Sequence, residues 1–242
     1  MQLALLAQLN AARRARKSAL LVTDLATGAQ ELLDNETLAA EDRAGVFTTF
    51  LQSGLSGSLD HEGRSLFVEV HRPPPRLLII GAGHIAQALV PLARMTRFDP
   101  VLLDPRTAFA TPERFPDVPL LAEWPQDVLP GPWLDAGTAV AALSHDPRID
   151  DPALSAALKA DCFYIGALGS RKTYGKRLER LRAAGFDEAS LTRLHAPIGL
   201  DIGAVSPAEI AVSIIAEIIA ASGRKPLRGS GPQPVEAARA GG

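Results

Sequence analysis

Arg76-Leu77-Leu78-Ile79-Ile80-Gly81-Ala82-Gly83-His84-Ile85-Ala86 is the stretch whose reading decides the fold. A short apolar run ends in Gly-x-Gly-x-x-Ala and passes directly into a helical pattern. That is the layout of a strand-turn-helix unit that cradles a pyrophosphate. Gly81 permits the tight turn, and Gly83 has no Cβ to hold a phosphate away from the backbone. Ala86, standing where a third glycine often stands, still lets the helix pack closely on the strand. The amides that follow would point at an anion from a helix N-terminus. A glycine fingerprint alone is weak evidence, so its surroundings decide.

Beyond the turn, Ile85, Leu89, Leu92 and Ala93 recur at helical spacing, with Gln87, Arg94 and Arg97 on other faces. A second apolar run, Val101-Leu102-Leu103, ends in Asp104, 21 residues past Gly83. Dinucleotide-binding folds place there the carboxylate that accepts hydrogen bonds from an adenosine ribose. The competing reading is a solvated Asp that opens the Asp104-Pro105 turn. Arg106 would meet a 2′-phosphate, but Asp104 would repel one, so NAD is favoured over NADP if either binds.

A chain of 242 residues holds one large domain or two modest ones, with a sizeable core. Hydrophobic content of 47% and charged content of 21% are those expected of a soluble globular protein. A net charge of −2 gives no reason to expect nucleic acid or an anionic membrane as partner. The run Arg13-Arg14-Ala15-Arg16-Lys17 reads as a solvated face. No apolar run is long enough to span a bilayer, and the N-terminus lacks a signal-peptide layout. Cys162 is the single cysteine, which excludes an intramolecular disulfide and a cysteine-based metal cluster. The cytoplasm is the expected location.

Leu3, Leu6 and Leu9 predict a helix over the first 16 residues, followed by strands at Ala19–Val22 and Gln30–Leu33 around a turn at Asp24–Gly28. A helix is expected from Asp34 to Phe50 and a strand at Ser65–Val70. Pro73-Pro74-Pro75 is stiff and lacks backbone donors, so it marks a domain boundary. The expected organisation is a small α+β domain over residues 1–72, a proline linker at 73–75, and an α/β domain over 76–222. From Gly223 the chain is rich in Gly, Pro and Arg without periodicity, and a disordered tail is expected over 223–242. In the larger domain, further apolar runs at 139–143 and 162–165 alternate with helical segments at 152–159, 172–184 and 207–221. This alternation predicts a Rossmann-like parallel sheet with helices on both faces. Ser206, Pro207 and Glu209 mark the start of the last helix.

Ligands of open parallel sheets sit at the carboxyl ends of the strands. Polar clusters fall at those ends here. Asp104-Pro105-Arg106 ends one strand, and Ser144-His145-Asp146-Pro147-Arg148 ends another, so an Asp-Pro-Arg triplet occurs twice. Gly166-Ala167-Leu168-Gly169-Ser170-Arg171-Lys172 runs into a helix with two glycines, a hydroxyl and two cations, which suits an oxyanion. The plainer reading is a Ser-capped helix with exposed basic residues. His145 beside Asp146 suits a proton transfer or a substrate contact, but no nucleophile elbow surrounds Ser144. Cys162 lies in an apolar run and reads as structural. In His195-Ala196-Pro197-Ile198-Gly199-Leu200-Asp201-Ile202-Gly203-Ala204, His195 and Asp201 are either pocket residues or struts that hold the loop.

These blocks together resemble the XdhC/CoxI family of molybdenum-hydroxylase maturation factors. The resemblance rests on the glycine turn, on Asp104-Pro105-Arg106 and on Phe109-Ala110-Thr111-Pro112-Glu113-Arg114-Phe115. It continues through Ser144-His145-Asp146-Pro147, Asp151-Pro152-Ala153-Leu154, Tyr164 to Thr173 and His195 to Ala204. It covers residues 76–222 and implies a Rossmann domain in a protein that binds molybdenum cofactor and hands it to a xanthine dehydrogenase-type hydroxylase. It also implies cooperation with the cysteine desulfurase that installs the terminal sulfido ligand. Longer members carry a Gly-Ser-x-Pro-Arg-like segment and a Gly-Gly-Cys-like or Gly-Gly-Gly-like turn in their N-terminal region. Ala19 to Glu31 shows neither, and no cysteine lies in that half.

The expected function is therefore that of a non-catalytic maturation factor holding molybdenum cofactor (molybdopterin). The alternative is an NAD(P)-dependent oxidoreductase, with Asp104 on the ribose and His145 as acid/base. The expected cofactor-binding residues are Gly81, Gly83, His84, Ala86, Asp104, Arg106, His145, Asp146, Gly169, Ser170, Arg171, Lys172 and Asp201. No catalytic residue and no metal ligand is assigned, and the sequence leaves open whether a homodimer forms.

Overall fold

A computed structural model describes residues 3–34, 37–38 and 45–222, with the side chains of Gln52, Arg171 and Lys172 left aside. The expected disordered tail, and part of the helix expected from Asp34 to Phe50, lie outside the described residues. The chain divides into two compact units, Met1–Pro74 and Pro75–Gly242. Among the described residues no helix is long and apolar enough to cross a membrane.

The first unit runs α1 (Leu3–Arg14), β1 (Ala19–Asp24), β2 (Gln30–Asp34), α2 (Val46–Ser53), β3 (Gly57–His61) and β4 (Arg64–His71). Its strands form an antiparallel sheet in the order β2-β1-β4-β3. The Asp24 carboxylate accepts the amides of Ala26 and Thr27, both at 2.9 Å, and so closes the β1–β2 turn. Leu20, Val22, Leu66 and Val68 fill the core, and Phe47, Phe50 and Leu51 of α2 pack against them. Strand β3 has no signature of its own, because Gly-Ser-Leu-Asp-His contains one large aliphatic residue. It is recruited by the Glu62-Gly63 turn, where both residues have positive φ, as a tight hairpin connection requires.

The second unit contains β5 (Arg76–Ile80), α3 (His84–Met95), β6 (Asp99–Leu103), β7 (Leu120–Leu121), α4 (Pro125–Val128) and β8 (Thr138–Ala142). It continues with α5 (Pro147–Lys159), β9 (Tyr164–Ala167), α6 (Arg171–Ala183), α7 (Glu188–Leu191), β10 (Leu194–His195) and α8 (Pro207–Ala221). The six strands are all parallel, in the order β10-β9-β8-β5-β6-β7. The chain thus builds outward from β5 in one direction, then returns to β8 and builds in the other. This is the doubly wound Rossmann order, and its switch point is the crevice between the carboxyl ends of β5 and β8.

Every residue of β5 and of β8 is buried, as expected for central strands covered on both faces. Leu77 and Ile79 face one core with Ala86, Leu89, Ile214 and Ile218, under α3 and α8. Leu78 and Ile80 face the other, with Ile149, Leu154 and Leu181 of α5 and α6. Helix α5 begins at Pro147, five residues before the expected start at 152. Asp146 caps it, accepting the Arg148 amide at 2.9 Å, and Pro147 takes the first turn where no amide is needed. The short elements α4, α7, β7 and β10 are too brief to show a period in the sequence.

Candidate functional site

The glycine turn lies at the switch point, and its two glycines do different work. Gly81 has φ +102, and a Cβ there would lie 2.7 Å from the Cα and N of Ser144. The turn therefore packs directly on the backbone that leaves β8. Gly83 has an ordinary φ of −83 and caps α3 without any side-chain hydrogen bond. A Cβ at Gly83 would meet nothing within 4 Å. The first amides of α3 thus have no side-chain cap at Gly83 and carry the positive end of the helix dipole. His84 follows with an exposed side chain, and Ala86 is fully buried against the sheet.

At the end of β6, Asp104 is fully buried. Its carboxylate accepts the Ala82 amide at 2.8 Å, the Arg106 amide at 2.9 Å, Arg106 Nε at 2.9 Å and Arg106 Nη2 at 2.8 Å. Burial pushes this carboxyl up. The Arg106 guanidinium and the two amides more than reverse that and hold it below the ordinary carboxylate value. Both oxygens are thus occupied by protein donors, and no lone pair is left for a ribose hydroxyl. The Asp104-Pro105 turn folds Arg106 back onto its own carboxylate, which the residue spacing could not reveal. The second Asp-Pro-Arg triplet folds in the same way, Asp146 accepting the Arg148 amide at 2.9 Å and Nη2 at 2.7 Å. The Arg148 hydrogen bonds lower the Asp146 carboxyl to about 2.

The end of β8 stands on a network that the sequence reading missed. Ser144 Oγ donates to Asp150 at 2.6 Å, and Arg177 Nη2 reaches the same carboxylate at 3.2 Å. Arg177 Nη1 also donates to the Leu168 carbonyl at 3.2 Å, which ties the ends of β8 and β9 together. Asp150 is fully buried, and burial pushes its carboxyl up against the opposing pull of Ser144 and Arg177. Above this base, His145 is exposed in the left-handed region at φ 61. The positive charge of Arg106, after β6, adds a small contribution to the lowering of the Asp146 carboxyl after β8.

The Ser170 helix start differs from the α3 start. Ser170 caps α6 by accepting the Thr173 amide at 3.3 Å, and the Thr173 hydroxyl donates to the Ser170 carbonyl at 2.8 Å. Gly169 has φ +145, and a Cβ there would lie 2.6 Å from Thr173 Oγ1. Its glycine thus makes room for Thr173 within the chain. The side chains of Arg171 and Lys172 lie outside the described residues.

The loop after β10 is braced by Glu217 of α8. This carboxylate accepts Tyr164 Oη at 2.5 Å, the Gly199 amide at 2.7 Å, and pairs with His195 Nδ1 at 3.0 Å. The Tyr164 and His195 rings stack 4.6 Å apart. Burial, followed by the Glu217 contact, raises the Tyr164 phenol well above its ordinary value. His195 is therefore a strut. Asp201 is exposed, and no hydrogen bond or ion pair among the described residues joins it to the glycine turn. Cys162 is buried, which pushes its thiol up to about 12. Among the described residues, no group of three or more His, Cys, Asp or Glu is arranged to hold a metal ion.

Known proteins agree with this architecture. Residues 77–218 match the family model described as the XdhC Rossmann domain. The chain is 33% identical to the Escherichia coli (strain K12) molybdenum cofactor insertion chaperone PaoD, over 61% of this chain and 40% of that protein. It is 32% identical to a Bacillus subtilis (strain 168) protein named as a probable xanthine dehydrogenase subunit, over 64% of this chain and 45% of that one. It is 34% identical to the uncharacterized Escherichia coli (strain K12) protein YqeB, over 67% of this chain and 30% of the other. The matched regions thus span less than half the length of each of these relatives. A crystal structure described as a xanthine dehydrogenase from Bacillus halodurans superposes with a TM-score of 0.66 at 25% identity, covering 95% of this chain and 66% of that one. By its fold and by the match across most of its second unit, this chain belongs to the XdhC family and carries that family's Rossmann domain.

Proposed function

We propose that this protein binds molybdenum cofactor as cargo and assists its insertion into a xanthine dehydrogenase-type molybdenum hydroxylase. The observation that carries the proposal is the open, uncapped start of α3 at Gly83, set at the sheet's switch point. The phosphate of a pterin cofactor suits that start, because free amides and the helix dipole both favour an anion. His84, Arg106 and His145 are the side chains that fit the rest of the contact. Gly81 and Ala86 shape the turn, and Asp104 holds Arg106 in place. The relatives named as a cofactor insertion chaperone and as a probable xanthine dehydrogenase component support this reading.

The same reading makes the protein a cytoplasmic accessory factor, with a cysteine desulfurase as a second partner. It is favoured over NAD(P)-dependent oxidoreduction because the Asp104 carboxylate, which a cofactor ribose would need, is filled by Ala82 and Arg106. The test is equilibrium binding of purified protein to molybdenum cofactor and, separately, to NADH. Retention of the pterin that is lost in Gly83→Val, with NADH unbound, is the expected result. Tight NADH binding with turnover and no retention of the pterin would overturn the proposal.

A further inference from the structure

The two layers of helices that cover the parallel sheet meet water in different ways. On one side, α6 turns Lys176, Glu179, Arg180 and Arg182 outward, as a solvent-facing helix ordinarily does. On the other side, α3 and α8 pack against each other over the face of the sheet that carries Leu77 and Ile79. The 12 residues of α3 include one arginine and the 15 of α8 include two glutamates, with no lysine or aspartate in either.

All three of those charges are engaged elsewhere. Arg94 donates to the Asp117 carbonyl in the loop after β6. Glu209 accepts the Val205 amide at 2.9 Å and the Ser206 amide at 2.8 Å, which closes the cap of α8. Glu217 braces the loop after β10 through Tyr164, His195 and Gly199. What remains on the outside is aliphatic. Along α3, Ile85, Ala88, Leu92 and Met95 recur at intervals of three and four, and Met95 is 79% exposed. On α8, Val212 and Ile219 stand two turns apart and are 46% and 41% exposed. Such spacing forms the seam between packed helices, and depletion of charge marks the centre of a protein interface.

The character of this face selects its occupant. A two-fold contact brings a patch against its own copy, so exposed charges of one sign would repel. An aliphatic face without charge is complementary to itself. The chain that follows α8 does not suit it. Residues 223–242 carry Arg224, Lys225, Arg228, Glu236 and Arg239, with Leu227 and Val235 as their large aliphatic residues.

We propose that two copies of this chain pack the outer faces of α3 and α8 together about a two-fold axis. The helices are roughly 18 and 22 Å long and roughly 10 Å apart, a patch at the small end of stable interfaces. Association is therefore expected in the micromolar range. None of the side chains assigned to the cargo takes part, so the proposal stands apart from that function.

The test is sedimentation equilibrium of the full chain from about 1 to about 200 μM. The average mass is expected to rise from the chain mass of 25.6 kDa towards twice that value. Met95→Lys and Val212→Glu each put like charges into the contact from both copies, and each is expected to weaken the dimer by about tenfold or more. Both positions are exposed, so thermal unfolding of the dilute variants should match that of wild type. Should either fail to fold, Ile219→Lys, whose cation suits the last turn of α8, gives the same readout. Lys176→Glu, on the charged side, leaves the dissociation constant at the wild-type value. A wild type that keeps the single-chain mass throughout overturns the proposal, as does a dimer that survives all three substitutions of the face. Should a monomeric wild type dimerise once residues 223–242 are removed, the tail is the occupant and the proposal falls.

Discussion

The carboxylate of Asp104 accepts the backbone amide of Ala82 at 2.8 Å, joining the end of β6 to the glycine turn that follows β5. The same carboxylate closes a two-pronged contact with Arg106. It is the keystone of the site, because turn and cation are placed by one buried group.

Asp104→Asn is expected to destabilise the protein by about 2–4 kcal/mol, since a buried charged acceptor with several donors is lost. The Asp104 carboxyl is held below its ordinary value of 3.8. Its contribution is therefore present above that pH and lost as pH falls through the lower, folded value. Urea unfolding across a pH series checks this. The gap between wild type and variant should be full near neutrality and close in strong acid, and a constant gap would refute the assignment.

The two glycines of the turn should respond differently. Gly81→Ala combines a left-handed φ with a clash against Ser144 and is expected to cost about 2–4 kcal/mol. Gly83→Ala places its Cβ in open space at an ordinary φ, and stability should change by less than about 1 kcal/mol. Thermal unfolding of both variants decides the matter, and an equal loss in the two would contradict it.

Ser170→Ala removes the α6 cap and should cost about 1 kcal/mol while leaving pyrophosphate affinity unchanged. The Ser170 hydroxyl already serves its own helix, whereas the start of α3 has no such cap. A marked loss of pyrophosphate binding in this variant would move the anion site to α6.

Arg177→Ala strips the buried Asp150 of its cation and is expected to cost about 3–5 kcal/mol near neutral pH. Burial already raises the Asp150 carboxyl, and removal of Arg177 raises it further. The penalty should shrink as pH falls and Asp150 takes up a proton, which denaturant titrations at acid and neutral pH will show.

Much of the fold is written locally. The apolar run at Arg76–Ile80, the Gly-x-Gly turn and the helical spacing from Ile85 identify β5, α3 and the parallel sheet, because each signal depends on neighbours within a turn or two. Strand β3 and the early start of α5 escaped this reading. The first has too little apolar sequence to stand out, and the second carries its signal in the Asp146-Pro147 cap, ahead of the periodic residues.

The doubly wound core, and the place of the glycine turn within it, follow from the order of residues along the chain. The roles of the polar residues do not, and they emerge only once the chain is folded. Asp104 sits where a ribose carboxylate is expected, yet a fold-back of Arg106 and the amide of Ala82, 22 residues away, fill it. His195 became a strut through Glu217, 22 residues distant, and Asp150 gained its cation from Arg177, 27 residues on. Hydrophobic periodicity is a short-range property of the chain. Whether a buried polar group is already satisfied depends on partners that only folding brings within hydrogen-bonding distance.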